Sequence, residues 1–359
     1  MAAVTLFTVS AIAQPAGQST DRKLRIASGK LPDRLNVAWK FKTGGPVVSS
    51  AVVAKGLVYT GSTDGRVYCI RQSDGTKVWD FKTGDAVEAT PCLANGMVYI
   101  GAADGFLYAL NAANGSLKWK YKTDDKILGG AVSTPAAVGK GTWVIFGSYD
   151  NRVHCVNAAN GVKVWSYETD NYVNGTPAVG SGKVVFGGCD GILHILRLTD
   201  GKKVRSIEVG EYIAGSAALV GDLAYVGHYG NEVVCVNTNT GQLVWKFRDR
   251  QFPYFSSPAV TPDRIVIGGR DKRLHCIQRD NGKGIWDFPT RGKVDSSPLV
   301  CDGKVLFGSE DGKFYSVRLS DGKEVWSYTV GAPIISSPAI YDGLVFIGAD
   351  DGHLYAFRG

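Results

Sequence analysis

The chain has 359 residues with 44% hydrophobic content, 46 glycines and a formal net charge of +7. That charge is small for the length, and the lysines and arginines are scattered through short polar stretches such as Lys202-Lys203, without a run of five or more, which excludes a nucleic-acid-binding surface from the leading readings. The seven cysteines show no C-x-x-C spacing, so neither a zinc site nor a dithiol motif is supported.

Met1 to Ala13 is apolar and ends Ala11-Ile12-Ala13-Gln14, the small-x-small pattern of a secretory cleavage site on a core too short to span a bilayer. A basic n-region is missing. Residues 1–13 are therefore expected to be a signal-peptide segment, residues 14–34 a disordered linker, and the protein periplasmic or secreted. The first cysteine is Cys69, so no lipidated cysteine directly follows the signal, and no transmembrane helix is expected.

From residue 35 onward the chain repeats itself. Trp79, Trp119, Trp165, Arg205, Trp245, Trp286 and Trp326 each stand four residues after a glycine, at steps of 40, 46, 40, 40, 41 and 40, and Trp39 lies 40 residues before the first. A period of this size means one supersecondary unit repeated. The copy from Gly84 to Thr123 reads as four strands, Glu88 to Ala94, Met97 to Ala102, Phe106 to Asn111 and Leu117 to Tyr121, broken by Asn95-Gly96, Asp104-Gly105 and Asn114-Gly115. Such pairs are hairpin signals because tight turns need backbone at positive φ. Four-stranded antiparallel units at this period predict an all-β propeller. The last copy stops after its third strand, and Leu35 to Thr43 supplies the missing fourth. Joining them gives an eight-bladed β-propeller over residues 35–359, closed by pairing of its N- and C-terminal strands, with no bare edge left to aggregate.

The unit Ser256 to Phe288, the run Gly101 to Asn111 and the run Gly348 to Phe357 resemble the PQQ-type propeller repeat, found in quinoprotein dehydrogenases and in the BamB-like outer-membrane assembly factors. The resemblance covers residues 35 to 359. It implies that Trp39, Trp79, Trp119, Trp165, Trp245, Trp286 and Trp326 each dock against the glycine turn of a neighbouring copy. Arg205 departs from the pattern, and the contact there is expected to be weaker and more exposed.

Comparison of the copies sorts the chemistry-bearing residues. Cys69, Cys155, Cys235 and Cys276 share one third-strand position with Ala109, Ile195, Ser316 and Ala356, so they read as small buried hydrophobes. His154, His194 and His275 replace Tyr68, Tyr108, Tyr315 and Tyr355 and read as packing residues. Asp64, Asp104, Asp190, Asp311 and Asp351 precede turn glycines, and Asp350-Asp351-Gly352 lacks the further oxygen ligands of a calcium loop. His228, with Tyr229, stands in a loop where most copies read Asp-Gly.

Function is expected where the copies differ, on the connections from each outer strand to the next inner one. These are Asp85 to Glu88, Asp124 to Val132, Asn171 to Asn174, Glu211 to Ala214, Arg248 to Phe255, and Arg291 to Asp295. The 46-residue step is placed beside the second of these, at Lys126 to Gly130. The candidate partner-binding face comprises Glu88, Tyr172, Asn174, Tyr212, His228, Tyr229, Arg250, Phe252, Tyr254, Phe255, Arg291 and Asp295, with aromatics and arginine suited to anchoring an interface. No nucleophile, base and orienting-group constellation is present, so a non-enzymatic scaffold for a protein or peptide leads. The alternatives are a PQQ- and calcium-dependent dehydrogenase, whose vicinal cysteines and metal ligands have no counterpart here, and a carbohydrate or small-molecule binder using Tyr172, Asn174, Tyr212, Tyr254 and Arg291. No cofactor is expected.

Overall fold

The computed structural model describes residues 25–359. The proposed signal segment and the first part of the expected linker lie outside them. Eight sheets form the ring, and in every blade four strands run antiparallel from the channel outward. Blade 1 shows the pattern: Val52–Ala54, Leu57–Ser62, Arg66–Arg71 and Lys77–Lys82. Blade 8 is composite, with Ala339–Tyr341, Leu344–Gly348 and His353–Arg358 from the C-terminus and Asn36–Lys42 as its outer strand. The closing pair aligns Trp39 with Ala356 and Phe41 with Leu354.

The two middle strands of each blade are buried on both faces, so they read as continuous apolar runs such as Val67-Tyr68-Cys69-Ile70. The outer strands alternate. The register slips by one residue in every blade beside the third-strand position occupied by Cys69, Cys155, Cys235 or Cys276, directly across from the tryptophan. A bulge there re-aims the indole toward the next blade. Its Nε1 donates to a carbonyl 2.9 to 3.1 Å away, from Trp39 to Gln72, Trp79 to Ala112, Trp119 to Ala158, Trp165 to Leu198, Trp245 to Arg279 and Trp286 to Leu319. Trp326 instead packs against Phe314 and Phe357. Arg205 imitates the indole: its stem covers Gly241 and Nη2 donates to Asn239 O at 2.9 Å. It is half-buried, as are Trp119 and Trp286, so exposure does not set this blade apart. The four cysteines at the bulge are buried, and burial pushes the thiols up, to about 12 for Cys69 and Cys276 and about 11 for Cys235.

A second belt runs round the channel. Backbone N–H groups donate to hydroxyls one blade on, Thr176 to Ser216, Ser216 to Ser257, Ser257 to Ser297, Ser297 to Ser337 and Ser337 to Ser50, at 2.9 to 3.1 Å. These bonds satisfy backbone donors that the short inner strands leave free.

Three expectations need correction. The inner strand of blade 2 is only Cys92–Ala94, because Glu88 to Pro91 belong to the connection. The extra residues of the 46-residue step are not at Lys126 to Gly130, since Ile127 fills the same buried position as Val87 and Val173, over Gly101. They lengthen the first hairpin of blade 3, between Val132–Pro135 and Thr142–Gly147, at the opposite end of the strands. A surface hairpin tip tolerates added residues where a channel-side connection would not. Finally, the linker expectation gives way at residue 25: Ile26–Ala27 forms a strand, and Leu31 and Leu35 are buried in the core of blades 7 and 8.

Candidate partner-binding face

Each connection between blades is pinned to the turn between the second and third strands of the blade it leads into. Tyr149 N donates to Lys126 O, Cys189 N to Tyr172 O, Tyr229 N to Tyr212 O and Arg270 N to Pro253 O, at 2.8 to 3.0 Å. This bond repeats around the ring and sets side chains of turn and connection next to each other on one face.

In blades 3 to 6 those side chains are large. Tyr149 stacks on Tyr172 with centroids 4.8 Å apart, and its hydroxyl lies 3.4 Å from Asn174 Oδ1. Asn174 Nδ2 in turn donates to Ala214 O. Tyr212 meets Tyr229 edge-on at 6.0 Å, and Tyr229 meets Phe255 at 4.7 Å. The Arg270 guanidinium lies over the Phe255 ring at 3.4 Å and grips Asp295 with Nε and Nη2, the shortest contact being 2.7 Å. The result is an arc from Tyr172 to Asp295. Tyr172, Tyr212, Tyr229 and Phe252 are 44%, 49%, 43% and 50% exposed, which is high for such side chains. Burial first, and then the nearby Cys189 and Glu88, hold the Tyr149 hydroxyl above its ordinary range.

Not every candidate belongs to this face. Tyr254 is 2% exposed and occupies the site that Val87, Val173 and Ile213 fill in other copies, against Gly227. It is a core residue, and the sequence disguised it because an aromatic in a loop looks like an anchor. His228 is also 2% exposed: its Nδ1 accepts from Gly230 N at 3.0 Å, taking over the turn-closing role that the hydroxyls of Ser62, Ser148 and Ser309 play in other blades. Burial holds its imidazole below the ordinary value. Arg291 uses its backbone, donating to Asp311 at 2.9 Å, while its side chain points to solvent. Arg250 sits 3.6 Å from Asp249 and 4.0 Å from Asp271. Tyr149 and Arg270 were missed. Lining up the turns would have found them, since the same position holds Thr63, Ala103 and Cys189 elsewhere.

Asp249, Asp271 and His275 have ligand atoms within 4.8 Å of one another. The Asp271–His275 contact of 3.0 Å is the same pair as Asp150–His154 and Asp190–His194, and it matches Asp64–Tyr68 in other blades. With the Arg250 guanidinium alongside, this is a turn staple. At the mouth, Glu88 and Asp295 stand on the connections into blades 2 and 7, and Asp295 is committed to Arg270. Among the described residues, no group of three His, Cys, Asp or Glu side chains that includes Glu88 or Asp295 has ligand atoms close enough to hold a metal ion.

The model of the family described as outer membrane protein assembly factor BamB matches residues 8–187, 144–213, 190–267, 230–318 and 270–359. The chain belongs to this family. A search of curated proteins gives no significant match. Among solved structures, BamB from Moraxella catarrhalis superposes with a TM-score of 0.78 at 17% identity, covering 91% of this chain and 100% of that one. A europium-containing methanol dehydrogenase gives 0.77 at 15%, covering 96% and 98%. The quinohemoprotein alcohol dehydrogenase from Comamonas testosteroni gives 0.78 at 14%, covering 93% and 78%. At these identities the likenesses establish the shared propeller and nothing about chemistry. No helix among the described residues is long and apolar enough to cross a membrane.

Proposed function

We propose that this BamB-family propeller is a non-catalytic, exported scaffold that holds an extended segment of a partner protein across the arc of blades 3 to 6. The observation that carries this reading is the continuous contact path Tyr212, Tyr229, Phe255, Arg270, Asp295, with Tyr172 and Tyr149 beside it. Tyrosine and phenylalanine bring large contact area at the cost of only two side-chain torsions, and neighbours already hold these rings. A partner's apolar side chains would seat between the Tyr pairs, and Asn174 and the tyrosine hydroxyls would meet its backbone. Membership of an outer-membrane assembly family supports a role in a protein complex there. The vicinal cysteines and metal ligands of the dehydrogenase reading have no counterpart in the sequence, which weighs against that reading.

A displayed peptide library selected on the wild-type protein tests this. Selected peptides should bind a Tyr172→Ala, Tyr212→Ala, Phe252→Ala variant at least tenfold more weakly, a loss of about 1.4 kcal/mol, while its melting temperature stays close to wild type. Undiminished binding by that variant would place the partner surface elsewhere.

A further inference from the structure

The inner edge of blade 7 is not bare. The strand Leu299–Cys301 pairs with Lys304–Gly308 on one side and, toward the channel, with Ile26–Ala27 in parallel, Ile26 opposite Val300 and Ala27 opposite Cys301. Among the described residues no other blade has a fifth strand. Val300 N donates to Arg25 O at 3.0 Å. The Arg25 guanidinium donates to Pro298 O at 2.9 Å, to Ser297 O at 3.0 Å and to Pro338 O of blade 8 at 3.3 Å. Carbonyl oxygens from two blades therefore converge on one cation.

The arm is held unevenly. Leu31 and Leu35 are buried, Leu31 N donates to Asp302 and Lys304 Nζ donates to Leu31 O at 2.6 Å. Ser28, Gly29 and Lys30 between anchor and strand are exposed, and Gly29 has φ of 115°, open to glycine and little else. Beyond this hinge the ladder spans two residues and is of the parallel kind, the weaker per residue. Arg25 itself has φ of 52°, a disfavoured conformation for a side-chain-bearing residue.

We propose that the inner edge of blade 7 is an exchangeable strand-binding slot, filled here by the chain's own Arg25–Ala27 and open to an extended partner segment with the same order of a basic, an aliphatic and a small residue. The carbonyls of Ser297, Pro298 and Pro338 demand the basic residue. The core cluster of Leu299, Cys301 and Leu306 that encloses Ala27 demands the small one. Strand addition to a free sheet edge supplies the backbone bonds. Because the pairing is parallel, the incoming segment runs from the face that carries the connections toward the opposite one. The slot lies in the channel and shares no residue with the aromatic arc, so the two are tested separately.

The probe is a labelled peptide, Leu-Arg-Ile-Ala-Ser-Gly, with a control in which glutamate replaces arginine, added to the full chain. Ala27→Asp forces a charge into the enclosed position and should release the arm. This variant should bind the arginine peptide at least tenfold tighter than wild type does, and at least tenfold tighter than it binds the control. Equal binding by wild type and variant, indifference to the glutamate exchange, or no binding to the folded variant overturns the proposal. The gentler Arg25→Ala gives a second readout: amide exchange at Val300 should quicken at least tenfold while amides of Lys304–Gly308 keep their wild-type rates. A Val300 amide that exchanges at the wild-type rate in Arg25→Ala overturns it as well.

Discussion

Single residues explain why the blades hold together and where one blade differs. A Cβ on Gly115 would stand 2.7 Å from the Trp79 ring, at φ of 72°, whereas on Gly241, at φ of 79°, it would meet the flexible Arg205 stem. Left-handed backbone costs alanine about 1–2 kcal/mol and overpacking about 1–3 kcal/mol more. Gly115→Ala should therefore lose about 2–5 kcal/mol in chemical denaturation, and Gly241→Ala about 1–2 kcal/mol because arginine can move aside. Equal losses would mean that Arg205 is held as rigidly as an indole. In the same blade, burial keeps His228 neutral, outweighing Glu232 and Glu211 nearby and assisted by Arg248 and Lys246. Its folded pKa lies below the unfolded value of about 6.5, so the unfolded chain takes up the proton first. The stability that His228 contributes is present above that value and falls away as pH drops through the folded one. His228→Gln keeps an acceptor for Gly230 N and cannot titrate. Between pH 7.5 and 5.5 it should lose less stability than wild type, and identical slopes would remove His228 from the pH response.

At the scale of elements, the blade is a fixed frame with two unequal ends. The channel-side connections are locked by the repeated amide-to-carbonyl bond and by the hydroxyl belt, so they vary in side chain and hardly in length. The hairpin tips at the other end are free to grow, and blade 3 has grown there, with Val138 64% exposed. Deleting Ala136 to Gly139, which leaves Lys140-Gly141 as a two-residue turn between Pro135 and Thr142, should leave the melting temperature within about 2 °C, since loop length has a weak entropic effect. Peptides selected on the arc should bind that variant unchanged. A loss of binding would show that the two faces are coupled.

The whole ring depends on one closure. Asn36–Lys42 joins strands distant in sequence, and Trp39 bridges onward to Gln72 and Gly75 of blade 1. Trp39→Ala removes a buried indole, a loss of about 3–5 kcal/mol, and it does so at the strand whose detachment opens the ring. It should cost more than Trp286→Ala, and amide protection should fall first in Asn36–Lys42 and His353–Arg358. Uniform loss of protection around the ring would mean that closure is no weaker than any other blade contact.

Much of this molecule is written in the period of the sequence. The forty-residue spacing, the Asn-Gly and Asp-Gly turns and the missing fourth strand of the last copy determine blade count, strand order and closure, because each depends on local turn chemistry and on apolar patterning that survives copy by copy. The same comparison identified the cysteines and three histidines as packing residues. The candidate face was legible only as a set of variable connections. Tertiary structure decided that Tyr254 and His228 point inward, that Tyr149 and Arg270 complete the arc, that the extra residues of blade 3 lie at the far end, and that Arg25–Ala27 enters the channel. Each of those outcomes depends on which neighbouring blade a side chain meets. That is set by contacts between residues far apart in the chain, about which a local pattern carries no information.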